Sequence, residues 1–338
     1  MKSKKIALIG GAGFIGHNLA LSLKDRGHEP IIIDCLAVNN MLSFTNKEIK
    51  NRKLYWSILN QRMDLLHDSD IEINIEDARN YNAISKLLDH AKPDVIVQLA
   101  AVSHANKSNK DPHTTFDHTL RTLENTLDIA RSLNTHVIYF SSSMAYGNFE
   151  SNIVTEETPC NPLGIYGTLK YSGELIIKAY HRVFDIPYTI IRPSALYGER
   201  CVSRRVGQIF IENAVQGLDI NLTGDGSDKL DFTYIDDLIQ GVTLTIENEN
   251  AINETFNLTY GQARSIGDLA EILKKSFKNI NINYQPKDKL TPDRGTLSIE
   301  KAQKLLGYKP NFSIENGYPK YIEWYKKLWN LQKSKHLG

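Results

Sequence analysis

The stretch Gly10-Gly11-Ala12-Gly13-Phe14-Ile15-Gly16 follows the apolar run Ile6–Ile9 and precedes a helical pattern. Strand, glycine turn and helix in that order predict a cradle for a dinucleotide. Gly10 permits a tight turn, Gly13 lets a pyrophosphate approach the backbone, and Gly16 lets the helix pack closely, while free N–H groups at the helix N-terminus attract the anion. Because the spacing is G-x-x-G-x-x-G, an ordinary strand-to-helix turn stays an alternative at this point.

A second apolar run, Ile31–Ile33, ends in Asp34, about 20 residues beyond the glycines. A carboxylate at that place accepts hydrogen bonds from the ribose 2′ and 3′ hydroxyls and repels a 2′-phosphate. The pair of signals therefore favours NAD over NADP, and it weakens the alternative of a solvated aspartate at a strand end.

Composition limits the partners of the chain. Its 338 residues suggest about two domains, and 40 Lys and Arg against 39 Asp and Glu leave a net charge of +1. A net charge this small gives no overall electrostatic attraction for nucleic acid or for an anionic membrane. No apolar stretch approaches the ~18 residues of a membrane span. The cysteines Cys35, Cys160 and Cys201 lack C-x-x-C spacing, so neither a metal site nor a disulfide framework is indicated, and a cytoplasmic location is expected.

Residues 35–70 interrupt the strand and helix rhythm as a long insertion. A helix over 46–63 is expected there, and a solvated lid or a subunit contact is preferred to a dedicated substrate site. The alternating strand 71–75 follows the insertion, and Asp77 and Ala78 come after it. Asp77 is placed to receive the adenine amino group.

Small and polar residues follow the next two strands. Leu99 closes a buried strand and leads into Ala100 and Ala101, where small side chains let the cofactor backbone lie close. Ser103 and His104 come next, and the histidine either contacts substrate or is a loop residue bonded to backbone. After an amphipathic helix over 114–133, a strand runs into Ser141-Ser142-Ser143-Met144-Ala145-Tyr146-Gly147. Hydroxyls at the carboxyl end of a central strand lie where an α/β sheet places its active site.

Tyr166 and Lys170 stand at positions i and i+4 of the next predicted helix. Their side chains therefore share a face, and the ammonium can lower the pKa of the phenol, which makes Tyr166 a candidate general base. A pattern this short also arises by chance. Its position at the start of the helix that follows the serine strand favours the functional interpretation.

Taken together, these motifs resemble the extended short-chain dehydrogenases/reductases of the NAD-dependent epimerase/dehydratase family, and RPSALYGER at 192–200 and AQKLLGYKP at 302–310 extend the resemblance over nearly the whole chain. The resemblance implies an α/β fold with a seven-stranded, doubly wound parallel Rossmann sheet and a smaller C-terminal α/β substrate-binding domain. Residues 1–192 and 232–262 would bind NAD, and residues 193–231 and 263–330 would bind a nucleoside-diphosphate sugar. The helices over 114–133 and 167–184 would form a four-helix bundle in a homodimer.

Roles implied by the family can be carried over position by position. Ser142 would be the catalytic hydroxyl and Tyr166 the base, and Lys170 would hold the nicotinamide ribose and lower the phenol pKa. The cofactor-binding residues would be Gly10, Gly13, Phe14, Ile15, Gly16, Asp34, Asp77, Ala78, Leu99, Ala100, Ala101, Tyr166, Lys170 and Pro193. The substrate-binding residues would be Ser103, His104, Ser143, Arg200, Arg205, Lys229 and Arg294.

Departures from the family pattern limit which of the family's reactions this chain is expected to catalyse. Dehydratases that resemble this chain carry Asp-Glu where Ser143 and Met144 stand, and decarboxylases use a Glu at the second position, so both routes lose support. An epimerase acting through a 4-keto sugar, similar to UDP-glucose or UDP-N-acetylhexosamine 4-epimerases, is favoured. A nucleotide-sugar 4-dehydrogenase or ketoreductase is the alternative, and a non-catalytic NAD-binding module is a further one. Polysaccharide biosynthesis is the expected pathway.

The pocket for the sugar nucleotide also departs from strict epimerases. They usually carry Asn and Arg where this chain has Ala195 and Leu230, and Lys229 is a candidate replacement for the missing charge. Arg200, Arg204, Arg205 and Arg294 are further candidates for the diphosphate, because a desolvated diphosphate needs two or more cationic or amide partners. The aromatic residues over 318–329 have helical spacing, which is more typical of core packing than of a base-stacking platform.

Overall fold

The computed structural model describes residues 2–102, 105–277, 279–286 and 292–334. The strands in these ranges are β1 (Lys5–Ile9), β2 (Glu29–Ile33), β3 (Glu72–Asn74), β4 (Val95–Gln98), β5 (His136–Phe140), β6 (Ile153–Val154), β7 (Tyr188–Arg192), β8 (Leu196–Tyr197), β9 (Ile220–Thr223), β10 (Lys229–Leu230), β11 (Thr233–Tyr234), β12 (Glu254–Asn257), β13 (Arg264–Ser265), β14 (Ile282–Gln285) and β15 (Thr296–Leu297). The helices are α1 (Phe14–Asp25), α2 (Arg52–Asp68), α3 (Tyr81–Ala91), α4 (Ala105–Lys110), α5 (Pro112–Phe116), α6 (Thr122–Leu133), α7 (Ile165–Phe184), α8 (Val206–Val215), α9 (Ile235–Glu247), α10 (Ile266–Ser276), α11 (Glu300–Leu306) and α12 (Ile314–Ser334).

Seven parallel strands form the central sheet in the order β12-β7-β5-β4-β1-β2-β3. The order reverses between β1 and β4, where Ile6 pairs with Val95 on one side and with Pro30 on the other. In a doubly wound sheet this reversal opens a crevice at the carboxyl ends of the strands. The expected Rossmann fold class is confirmed.

Both faces of the sheet are covered, which explains why Ile6–Ile9 of the central strand β1 is continuously apolar. Ile6 and Leu8 of β1 belong to one core cluster, whereas Ala7 and Ile9 belong to a cluster on the other face. All four side chains are fully buried. Successive residues of a strand point to opposite faces, so helices on both sides require an apolar residue at every position.

The insertion differs from its prediction. Its helix, α2, spans Arg52–Asp68 rather than 46–63, and its apolar face lies in the core through Leu54, Tyr55, Ile58, Leu59 and Leu66, each at most 1% exposed. The interpretation as a solvated lid is therefore wrong. The Tyr55 hydroxyl donates to the buried carboxylate of Glu212 in α8 over 2.8 Å, and the Tyr325 hydroxyl of α12 donates to the same carboxylate over 3.1 Å.

The helix expected over 114–133 consists of α5 and α6 joined by a π-helical segment, Asp117–Arg121. One extra residue in a helical turn rotates the side chains that follow it, and such segments are frequent at functional sites. Here His118 and Thr122 line the cavity described below.

The aromatic residues near the C-terminus lie in α12 and pack into the core, as their spacing predicted. Tyr318, Tyr321 and Tyr325 are fully buried. The Tyr318 hydroxyl donates to the carbonyl of Gly207 over 2.8 Å, which fixes α12 against the start of α8. In the part of the chain that the structure describes, no helix combines the length and the apolarity needed to cross a bilayer.

Candidate active site

A cavity of about 520 Å³ lies at the carboxyl edge of the central sheet. The residue directly after each of four strands lines it: Gly10 after β1, Asp34 after β2, Leu99 after β4 and Pro193 after β7. Ser141 and Ser142 follow β5 and line it as well. One sheet edge therefore gathers residues that lie far apart in the sequence.

Gly10 shows why the turn after β1 requires glycine. Its φ is +82°, and a Cβ there would lie 2.7 Å from the backbone nitrogen of Ala100. A Cβ on Gly16 would overlap the backbone of Gly11, so the helix packs closely on the glycine turn itself. The N-terminus of α1 follows with Gly13, Phe14 and Ile15 on the cavity wall. This arrangement leaves room and free backbone donors for an anion.

Asp34 is fixed by the backbone around it. One carboxylate oxygen accepts a hydrogen bond from the Ala12 nitrogen over 3.0 Å, and the other accepts one from the Leu36 nitrogen over 2.7 Å. Burial raises the pKa of Asp34, while these hydrogen bonds and the positive charge of Arg62 oppose that rise. The carboxylate is thus held facing the cavity in one orientation.

The remaining residues expected to bind cofactor also line the cavity. They are Gly16, Asp77, Ala78, Ala100, Ala101, Tyr166 and Lys170. Asp77 accepts hydrogen bonds from the Arg79 guanidinium, with 2.6 Å between Nη2 and Oδ2, and these bonds lower the pKa of its carboxyl.

Tyr166 and Lys170 lie near the start of α7 and both reach the cavity. The Lys170 Nζ is buried and donates to the carbonyl of Phe140 at the end of β5 over 2.6 Å. Burial lowers the pKa of Lys170 to about 7. The side chain of Ser142 accepts a hydrogen bond from the Met144 nitrogen over 3.1 Å, which directs the hydroxyl toward the same cavity.

A glycine allows α7 to approach the serine turn. A Cβ on Gly167 would lie 2.6 Å from the carbonyl oxygen of Met144. The Ser143 nitrogen donates to the carbonyl of Pro193 over 3.0 Å, so the turn is also fastened to the end of β7. The start of α7 therefore lies against the serine turn, and Ser142, Tyr166 and Lys170 all line this wall of the cavity.

Beneath this wall lies a buried ion pair. Glu174 of α7 is fully buried, and its carboxylate binds the Arg192 guanidinium of β7 through two hydrogen bonds of 2.9 and 2.6 Å. The Ser141 hydroxyl donates to the same carboxylate. Arg192 also stacks on the Tyr146 ring, 4.7 Å from its centroid. These contacts fix α7 to the two strands that carry the serine turn and Pro193.

Arg294 reaches the serine turn from the C-terminal part of the chain. Its guanidinium contacts the Ser143 hydroxyl, the Ser194 hydroxyl at 3.2 Å and the Met144 sulfur at 2.8 Å. All three partners are neutral, and its Nε is buried without a hydrogen-bond partner among the described residues. Burial lowers the pKa of Arg294 to about 10, so the side chain stays cationic at neutral pH.

The other expected substrate residues divide into three groups. Ser143, Arg205 and Lys229 line the cavity. The prediction that Arg200 binds the substrate is wrong. Its guanidinium donates to the His17 ring over 3.0 Å and to the Asn18 side chain over 2.9 Å. Arg200 therefore holds its loop against α1 instead of facing the cavity. Ser103 and His104 lie outside the described residues.

Several residues that line the cavity were not predicted from the sequence, among them Arg62, Asn109, His118, Thr122 and Gln208. Arg62 had a usable signal, because it is a charged residue in the apolar stripe of α2, between Leu59 and Leu66. The π-helical segment that turns His118 and Thr122 into the cavity has no comparable signature.

Known proteins share this architecture. The chain is 29% identical over 334 residues to a putative UDP-glucose 4-epimerase of Methanocaldococcus jannaschii, covering 95% of this chain and 98% of that protein. A solved UDP-glucuronic acid 4-epimerase of Bacillus cereus, in complex with UDP-glucuronic acid and NAD, superposes with a TM-score of 0.86 at 28% identity and covers 96% and 99% of the two chains.

A solved dTDP-glucose 4,6-dehydratase of Streptomyces venezuelae has a TM-score of 0.83 at 23% identity, covers 97% of each chain and shows the fold alone. The model of the NAD dependent epimerase/dehydratase family matches residues 6–259. That match takes in the glycine turn, the serine turn and the Tyr166–Lys170 pair on the cavity wall. The chain therefore belongs to the NAD-dependent epimerase/dehydratase family of extended short-chain dehydrogenases/reductases.

Proposed function

We propose that this protein is an NAD-dependent 4-epimerase of a UDP-sugar. The observation that carries the proposal is a single cavity wall with Ser142, Tyr166 and Lys170, on which Ser143 and Met144 occupy the positions of the acids that dehydratases use. Neither a hydroxyl nor a thioether can exchange a proton at a sugar carbon. The wall therefore supports oxidation and reduction at one hydroxyl-bearing carbon, without elimination of water.

The residues present fit NAD. The backbone space at Gly10 and Gly13, the open N-terminus of α1 and the carboxylate of Asp34 match a pyrophosphate and an unphosphorylated ribose. When bound there, NAD supplies a reversible acceptor for the hydride on the sugar C4.

The protein residues move the proton. Tyr166, as phenolate, takes the proton of the sugar 4-hydroxyl while the C4–H bond breaks, and Ser142 donates a hydrogen bond to the same oxygen. Lys170 stabilises the phenolate by its positive charge. After the 4-keto sugar has rotated in the cavity, Tyr166 would give its proton back to O4 as C4 is reduced from the opposite face. The product is the C4 epimer, with no net oxidation.

Cations around the cavity fit the rest of the substrate. Arg205 and Lys229 are the proposed diphosphate ligands, since both line the cavity. Arg294 lies instead beside Ser143, next to the catalytic hydroxyl, and its contacts there are neutral. A cation at that place favours a sugar with an acidic group, such as a uronic acid, over a neutral hexose.

Four further assignments remain proposals. Residues 1–192 and 232–262 would form the NAD-binding domain, and residues 193–231 and 263–330 the sugar-nucleotide domain. Helices α5 to α7 carry exposed apolar side chains, including Leu175 and Val183, which would form the four-helix bundle of a homodimer. A reducing compartment such as the cytoplasm, and a role in polysaccharide biosynthesis, complete the proposal.

The test is incubation of purified protein with UDP-glucose, UDP-N-acetylglucosamine and UDP-glucuronate, followed by NMR and by absorbance of reduced nicotinamide. We expect a C4 epimer without net NADH, formed most rapidly from UDP-glucuronate. Tyr166→Phe should lower the rate about 10² to 10⁴-fold because the proton acceptor is lost. Net NADH would identify a dehydrogenase, and an unchanged rate in Tyr166→Phe would exclude the mechanism.

Arg294→Met should lower kcat/KM for the uronate more than for UDP-glucose; an equal loss would assign Arg294 to the diphosphate.

A further inference from the structure

Arg62 is a buried cation that the proposed reaction does not use. It lies on α2, in the insertion, and is 1% exposed. Its Nε and Nη2 both donate to the backbone carbonyl of Arg200, over 2.9 and 2.5 Å. The fork of the guanidinium is thereby fixed, and Arg62 is one of the residues that line the cavity.

The third nitrogen of this guanidinium lacks a partner. Nη1 is buried, and no hydrogen-bond acceptor among the described residues reaches it. Asp34 is an acid whose charge reaches Arg62, but its two oxygens already accept from backbone nitrogens, and no ion pair joins the two side chains in the described ranges. A buried donor on a cation is costly to leave unpaired, so an anion in the cavity is the fitting partner.

The location of Arg62 indicates which anion this is. Arg62 holds the carbonyl of Arg200, and the Arg200 guanidinium in turn donates to the His17 ring over 3.0 Å. His17 lies in the first turn of α1 and contacts the carbonyl of Gly13 over 2.8 Å. Arg62 thus faces the side of the cavity where the glycine turn and the N-terminus of α1 offer backbone donors to a phosphate.

We propose that Arg62 binds the pyrophosphate of the bound cofactor through Nη1, and that the insertion 35–70 thereby forms part of the cofactor site. The inference rests on the NAD site of the proposed function but not on its sugar chemistry. A 2′-phosphate is the other phosphate that could meet Arg62, and the carboxylate of Asp34 opposes it. The same guanidinium holds the carbonyl of Arg200, so one side chain joins the cofactor to the loop over 200–203.

Fragments of the cofactor test this contact. Dissociation constants of adenosine, ADP-ribose, NAD and NADP are measured by calorimetry on the full chain for wild type, Arg62→Met and Arg62→Lys. Arg52→Met is the matched control: Arg52 also lies on α2 and donates to a backbone carbonyl, that of Phe44 over 2.9 Å, but it does not line the cavity. Thermal melts followed by circular dichroism confirm that each variant is folded.

Arg62→Met should weaken ADP-ribose and NAD about tenfold or more and leave adenosine within about twofold, because only the first two carry the pyrophosphate. Arg62→Lys should recover part of that loss, and Arg52→Met should change nothing. Equal weakening of adenosine and ADP-ribose, or no weakening, would overturn the proposal, and a larger loss for NADP than for NAD would assign Arg62 to a 2′-phosphate. Wild type that binds none of these ligands would instead contradict the NAD-dependent function itself.

Discussion

Burial alone lowers the pKa of Lys170 in this site. Its ammonium is removed from water, and among the described residues its one hydrogen-bond partner is the backbone carbonyl of Phe140. The charged form is therefore disfavoured, and the pKa falls to about 7. A phenolate at Tyr166 would favour the ammonium again, so the charge of Lys170 is poised to respond to the state of its neighbour.

This lowered pKa predicts a pH dependence of stability. Between about pH 7 and 10.5, folded Lys170 has released a proton that the unfolded chain keeps, so its contribution to the free energy of unfolding rises as pH rises. Below pH 7 both states are protonated, and the cost of burying the ammonium is fully present. In urea titrations, the stability of wild type minus that of Lys170→Met should increase with pH across this window. A difference that stays flat would contradict the assignment.

The contact between α7 and the central sheet decides where Tyr166 and Lys170 lie. Glu174 is one helical turn beyond Lys170, and its ion pair with Arg192 is inaccessible to water. Desolvation makes such a pair a weak source of net stability, but removing one partner leaves a buried charge unmatched. The pair therefore fixes the register of α7 on β5 and β7.

Glu174→Ala should lower the free energy of unfolding by about 3 to 5 kcal/mol, because Arg192 is left buried without its carboxylate. The double variant Glu174→Met, Arg192→Met should recover much of that loss, since no charge then remains unmatched. Chemical denaturation of both proteins measures the two values. A double variant no more stable than Glu174→Ala would show that the pair itself contributes the stability.

The sequence is informative where local patterns decide the structure. The glycine turn, Asp34 and the Tyr166–Lys170 spacing depend on strand and helix periods, and the structure places all of them on one cavity. Arg200 was misplaced because a loop arginine gives no sign of whether it contacts a ligand or a neighbouring helix. The burial of α2 was also missed, since its core partners in α8 and α12 lie more than a hundred residues further along the chain.

The helices α5 and α7 carry large apolar side chains that are exposed to solvent in the single chain. Phe116 of α5 and Leu175 and Val183 of α7 are 47%, 51% and 70% exposed. Large apolar side chains exposed on neighbouring helices are typical of a protein interface. The proposed homodimer would cover them with the same face of a second copy.

Glu substitutions at Leu175 and Val183 together should convert the dimer to a monomer, because each charge would be buried against its own copy across the two-fold axis. Light scattering after gel filtration should give half the wild-type mass. Leu218→Glu is the control, since Leu218 is 43% exposed but follows α8, outside this face. A monomeric wild type, or a double variant that stays dimeric, would refute the interface.

The contact between the insertion and the last helix also bears on how the protein is made. The Gln332 side chain donates to the carbonyl of Lys53 over 3.2 Å, although 279 positions separate the two residues. While the ribosome is still adding α12, α2 has no Tyr325 or Gln332 to pack against, and Glu212 lacks one of its hydroxyl partners. The early half of the chain must therefore wait until α12 has been synthesised before the wall that carries Arg62 is complete. A chain truncated before α12 should be a substrate for proteases and chaperones, even though every strand of its central sheet has been synthesised.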